Sequence, residues 1–214
     1  MNIEIWSDIA CPWCYVGKRR FEEALERFEH RDEVTVTWRS FELDPSAPAE
    51  RSESHAEHLA EKYGGGLENA QRMLDSMTET AAAVGLDFDF EHSRGANTFD
   101  GHRLIHFAAQ HGRQDEMKER LLKAYFSDGE LVSDFSALAR LAGEIGLDEA
   151  AALDALTSGA HADEVREDEH LAQRIGVRGV PFFVADRQVG VSGAQEPDVM
   201  LDFLRQAWER RPSP

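Results

Sequence analysis

Polar and apolar residues alternate from the second position of the chain, in Asn2-Ile3-Glu4-Ile5-Trp6. A period of two marks a strand, here expected over residues 2–7 with a loop at Ser7–Ala10. From Pro12 to about Phe28 the period lengthens. Phe21, Ala24, Leu25 and Phe28 recur at i, i+3, i+4 and i+7, which places them on one helix face. Alternation returns in Val34-Thr35-Val36-Thr37-Trp38, with Phe41 and Leu43 extending the pattern. The first 45 residues therefore read β-α-β.

Pro45 and Pro48 break the pattern. Beyond them the helical period dominates, with helices expected at 55–63, 67–84, 98–111, 115–127, 134–145, 148–157 and 160–175. Gly64-Gly65-Gly66, Gly85 and Gly112 punctuate them as stops, and Ser133 or Asp134 is positioned to cap the 134–145 helix. Short strands follow at 181–185 and 189–191, joined by Asp186-Arg187-Gln188, and a helix at 196–210 closes the chain. The two end segments are each too small to fold alone. Together they make a four-stranded α/β layer, 1–45 with 170–214, interrupted by a helical insertion at 46–169.

The chain has 214 residues and a net charge of −18, with most of the excess acid in residues 46–165. That charge argues against nucleic acid and anionic membrane surfaces as partners. It forms a solvated acidic surface or one that selects cationic clients. No apolar run reaches the length of a membrane span. A strand begins where a signal peptide would have to lie, so a cytoplasmic location is expected.

Two cysteines cannot build a disulfide scaffold, and in a reducing compartment such a pair is more often catalytic or metal-binding. They stand as Cys11-Pro12-Trp13-Cys14 after a strand and at the first turn of a helix. That helix end carries partial positive charge and unpaired N–H groups, which stabilise a thiolate. Pro12 suits the first turn. Cys11 is expected to be the exposed nucleophile and Cys14 the more buried resolving thiol. Trp13 either tunes sulfur exposure and touches a client, or is a partly exposed aromatic without a special role. A zinc site would need His30, His55 or His58 to complete it, at no recognisable spacing, so no metal is expected. Gly179-Val180-Pro181 precedes the strand Phe182-Phe183-Val184. A cis Val180–Pro181 bond would expose the Val180 backbone to an extended client, although frequency makes trans the default.

These residues resemble the DsbA-like thioredoxin family, most closely its cytosolic FrnE-like branch, over essentially the whole length. The resemblance rests on Asp8 to Lys18 around CPWC and on Gly176 to Val184 around GVPFF. Ser192-Gly193-Ala194-Gln195, Ala96-Asn97-Thr98 and His102-Arg103-Leu104 add weaker support. It implies a thioredoxin-like fold with an all-helical insertion, a cis Val180–Pro181 bond, and a role for Val180 in client release and redox poise. It implies a protein disulfide oxidoreductase or isomerase acting on protein or peptide thiols. No bound cofactor is implied; glutathione or another thiol/disulfide couple would be the redox partner, and the protein would be a monomer or a homodimer.

Two positions depart from the pattern. The buried acid that aids proton transfer in the classical members is Ile5 here, and alternation turns Glu4 to the other face. Asp8 is a substitute or a turn former. The related kappa-class glutathione transferases and 2-hydroxychromene-2-carboxylate isomerases have a serine-type active position and a glutathione-binding Asp-Arg near the last helix, where this chain has Cys11 and Ser192-Gly193-Ala194-Gln195. The competing functions are a glutathione-linked isomerase or transferase on a small aromatic, and a redox-regulated holdase using Trp13, Phe182 and Phe183.

His102 and His106, at i and i+4, pack, neighbour the dithiol or bind a metal. Asn97 is a turn residue or lines the cleft. Lys18, Arg19 and Arg20 are expected on a solvated face.

Overall fold

The computed structural model describes residues 1–211. Its elements are β1 (Asn2–Ser7), α1 (Pro12–Glu26), β2 (Thr35–Ser40), α2 (His55–Tyr63), α3 (Gly66–Ala82), α4 (Phe99–Gln110) and α5 (Gln114–Phe126). They continue with α6 (Phe135–Glu144), α7 (Glu149–Thr157), α8 (Ala162–Ile175), β3 (Phe182–Ala185), β4 (Val189–Ser192) and α9 (Pro197–Glu209). The sheet order is β2-β1-β3-β4, with β1 parallel to β2 and antiparallel to β3, and β3 antiparallel to β4. This is the mixed α/β layer of a thioredoxin-type fold.

The alternation of β1 separates two faces. Ile3 and Ile5 join Phe183, Phe21, Leu204 and the helical block in one continuous core. Trp6 packs with Val184, Ala172 and Val177 on the other face, beneath α8. Asp168 of α8 fixes that side. Its carbonyl accepts from Trp6 Nε1 at 3.0 Å, and its carboxylate accepts from Ser40 N and Arg39 Nη1 at 2.9 Å each. The boundary expected between 169 and 170 lies within α8, which packs on both β2 and α4. Glu4 is also on this face, buried and held by Arg39 and Arg187.

The helix ends follow local chemistry. Ser54 and Glu57 form a capping box on α2, and Asp134 and Asp148 cap α6 and α7 through Ala137 N and Ala151 N. Ser133, the other cap expected for α6, instead bonds the carbonyl of Ala49. The second strand stops at Ser40, short of Phe41 and Leu43, because Leu43 N turns away to the Asp8 carboxylate at 2.7 Å.

Two expectations are corrected. Lys18, Arg19 and Arg20 do not form a solvated face. Lys18 is buried among Glu22, Asp115 and Glu119, Arg19 pairs with Glu22 and Glu119, and Arg20 donates to the carbonyl of Ala194 at 2.6 Å. The carboxylates of α5 that cover this face lie about a hundred residues away, outside any local pattern. Phe183 is fully buried in the core, so it cannot form an exposed aromatic patch with Trp13.

Gly17 is a point of close approach between α1 and the loop before β3. A Cβ there would lie 2.8 Å from Pro181 Cγ and 3.4 Å from Ala194 Cβ. Gly17→Ala is expected to destabilise the protein by about 1–3 kcal/mol through overpacking, measured as a lower urea midpoint at unchanged slope.

Candidate active site

The extended backbone of β1 runs into the loop 8–11 and delivers Cys11 as the residue immediately before α1. Cys11 has φ −100° and ψ 109°, Pro12 opens the helix, and Cys14 N closes the first turn on Cys11 O at 3.0 Å. Both cysteines are free thiols and both are buried, Cys11 at 4 % exposure and Cys14 at 1 %. This corrects the expectation of an exposed Cys11. The helical block covers the dithiol, and Cys11 lines a cavity of about 660 Å³ that Cys14 does not line.

Across from the cysteines the Val180–Pro181 bond is cis, and Pro181 O accepts from Gly193 N at 2.8 Å. The Val180 carbonyl faces the Cys11 thiol, which donates to it at 3.7 Å. Trp13 projects beside them, 47 % exposed, at the rim of the cavity. The far wall is built from α2 and α3, including His55, Leu59, Met73 and Met77.

Asp8 forms the floor. It closes the turn to Ala10 N at 3.4 Å, as a turn-forming aspartate would, but it is also a buried node. Its carboxylate accepts from Thr98 Oγ1 at 2.8 Å, from Leu43 N at 2.7 Å and from His102 Nε2 at 3.2 Å. Burial alone would raise its pKa. The His102 hydrogen bond and charge, Leu43 N–H and the Thr98 hydroxyl outweigh that and hold the carboxyl below the usual aspartate range. Burial depresses His102 below the ordinary histidine value, against the Asp8 hydrogen bond and charge that raise it, and its Nε2–H donates to the Asp8 carboxylate.

The i and i+4 histidines separate in function. His102 belongs to the Asp8 cluster, whereas His106 Nε2 lies 3.1 Å from both Ser40 Oγ at the end of β2 and the Asp168 carboxylate of α8. Asn97 is a structural residue away from the cavity lining. Its N–H and side-chain amide bond the carbonyls of Pro48 and Ala47, and its Oδ1 receives Phe99 N at the start of α4. Among the described residues no group of three or more His, Cys, Asp or Glu side chains is placed to hold a metal ion.

The two thiols titrate as one unit. The adjacent Cys14 sulfur, burial and the Asp8 charge raise Cys11 well above the ordinary thiol value. Burial opposes the ionisation of Cys14 too, but the Cys11 thiol, the charge of Lys118, the Ser7 hydroxyl and the Asp8 backbone bring it below that value. The first proton leaves readily and the second is held. Lys118 was not singled out in the sequence, where it falls within the helix expected at 115–127. The available signal was its spacing of three, four and seven from Leu121, Leu122 and Tyr125, which sets it on the apolar face of α5.

A dithiol at the first turn of a helix, under a proline loop that leads into an antiparallel strand, defines a thioredoxin-fold protein. The sequence model of the DSBA-like thioredoxin domain matches residues 2–205, and the chain belongs to that family. A probable DsbA oxidoreductase from Streptomyces coelicolor is 45% identical, with a TM-score of 0.94 over 100% of this chain and 92% of that one. The uncharacterized protein YwbO of Bacillus subtilis is 28% identical over 204 residues, 93% of each chain. The cytosolic disulfide reductase DsbM of Pseudomonas aeruginosa, solved with GSH, shares the fold at 17% identity and a TM-score of 0.66, over 98% of this chain and 100% of that one. No helix among the described residues is long and apolar enough to cross a membrane.

The Asp8 node carries a signed pH effect. A carboxyl whose pKa is lower folded than unfolded stabilises the fold above its unfolded value, near 3.8, and loses that contribution as pH falls through the folded value. Asp8→Asn is expected to lower the urea midpoint at pH 7, and the gap to wild type should narrow below pH 4. The same change removes a negative charge that holds Cys11 up, so the pH midpoint for alkylation of Cys11 should fall.

Proposed function

We propose that this protein is a thiol–disulfide oxidoreductase that exchanges its Cys11–Cys14 pair with protein or peptide thiols and disulfides. The observation that carries this reading is the placement of Cys11. Its sulfur lines a cavity at a helix N-terminus and faces the Val180 carbonyl, while its partner Cys14 lies one turn deeper and outside the cavity.

The chemistry follows from that placement. In attack on a client disulfide, Cys11 passes its proton to the coupled Cys14 thiolate, its sulfur bonds to one client sulfur as a mixed disulfide, and the other client sulfur leaves as a thiolate. Cys14 then attacks Cys11 Sγ, the bond to the client breaks, and the client leaves reduced while the protein is left as the Cys11–Cys14 disulfide. The reverse sequence oxidises a client dithiol. The low exposure of Cys11 favours a client that presents its sulfur on a flexible or extended segment, able to enter the cavity. Trp13 at the rim and Leu59, Met73 and Met77 in the wall supply apolar contact for the flanking residues. Methionine side chains adapt to varied partners, which suits exchange with many sequences.

Glutathione or another small thiol couple would return the pair to its starting state, in a cytoplasmic setting. The structural precedent is the cytosolic disulfide reductase that was solved with GSH.

Cys11→Ser is expected to abolish insulin reduction and dithiol oxidation while leaving the fold intact by circular dichroism. Unchanged exchange activity would refute the reading. Retained turnover of a small aromatic substrate with glutathione by that same variant would instead support a glutathione-linked isomerase working in the same cavity.

A further inference from the structure

We propose that Lys118 is the counter-charge for Cys14, a positioning residue from the helical block that lets the buried resolving thiol ionise. This deepens the oxidoreductase reading above and rests on it. Lys118 arises from the helical block, on α5, yet its ammonium group reaches the end of β1. The side chain is 1 % exposed, and Nζ donates to the Ser7 carbonyl at 3.2 Å. No ion pair joins it to a carboxylate among the described residues, in contrast to Lys18, which is buried among three. The Trp38 ring lies 5.7 Å from Nζ and is its other cation-stabilising neighbour.

A buried lysine without a carboxylate partner is costly unless some other anion is there to meet it. The groups that bear on Lys118 are Cys14, Asp8 and Cys11, which favour its charge, and Lys18, which opposes it. His102 also feels it. Of the three anionic groups Cys14 bears on Lys118 most strongly, ahead of Asp8 and Cys11, and Asp8 is held at a distance by its hydrogen bonds with His102, Thr98 and Leu43 N. Burial lowers the Lys118 pKa to about 8, within reach of the dithiol's own working range.

A second observation points to the same sulfur. Ser7 Oγ is buried and has no hydrogen-bond partner, and it contributes to the stabilisation of ionised Cys14. A hydroxyl with an unused donor and an ammonium with an unmatched charge thus converge on one thiol. Ile5 fills the β1 position where an acid would otherwise stand, and it is sealed in the core. In the resolving step, Cys14 gives its proton to solvent and is held as a thiolate by Lys118 and Ser7. Its sulfur forms the bond to Cys11 Sγ, the bond between Cys11 and the client sulfur breaks, and the client leaves as a thiolate that takes a proton from water. Two electrons pass to the client disulfide and the protein dithiol is oxidised.

The test uses Cys11→Ser, in which Cys14 is the sole thiol, and follows thiolate absorbance against pH. Lys118→Met and Lys118→Gln should raise the midpoint by about one to three pH units, and Lys118→Arg should keep it near that of the parent. An unchanged midpoint in the neutral variants overturns the proposal. So does an equal rise in Lys118→Arg, which would mean that packing and not charge is responsible. If Lys118→Met does not fold by circular dichroism, the Gln and Arg variants decide between these outcomes. The titration needs no exchange activity, so it stays readable even if Cys11→Ser remains active and the oxidoreductase reading fails.

Discussion

The structure depends on withdrawing two thiols from water. A thiolate in dry surroundings is unfavourable unless positive charge and hydrogen bonds replace its hydration. The fold meets that requirement from two directions. The β1–α1 junction supplies the helix N-terminus, and the helical block supplies the cover and Lys118. Neither part alone makes the site. The block also walls the cavity that Cys11 lines, so the same packing that dries the dithiol restricts what can approach it.

That arrangement explains how a chain of net charge −18 uses its cations. Several are buried or half-buried where they hold layers together. Arg39 bridges Glu4 and Asp168 between sheet and α8. Arg103 of α4 donates to the carbonyls of Ala155, Leu156 and Ala160, which satisfies the C-terminal end of α7. Lys18 anchors α1 to α5 through Asp115 and Glu119. The acidic excess remains on the outside, where it favours solubility, and the positive charges are placed against the elements that shape the site.

Local chemistry made much of this readable in the sequence. The element order followed from periodicity, because β1, α1 and the helices of the block have strong patterns and glycine or proline at their ends. The CPWC and GVPFF segments pointed to the two sides of the cleft. What the sequence hid was long-range. Asp8 looks like an ordinary turn aspartate because its partners Thr98 and His102 lie some ninety residues away. Lys18 looks like a solvated lysine and Lys118 draws no notice, because the carboxylates and the thiol they serve come from other elements. The burial of Cys11 was invisible for the same reason, since the cover is contributed by the insertion. The separation of His102 from His106 depended on which element met each side of α4.

The most direct measurement is mass spectrometry after exposure to a disulfide peptide. With Cys14→Ala, the account predicts a single mixed-disulfide adduct that forms rapidly at Cys11. With Cys11→Ala it predicts little or no adduct at Cys14, because that sulfur does not line the cavity. Equal trapping at both cysteines, or none at Cys11, would contradict the assignment of Cys11 as the sulfur that meets the client.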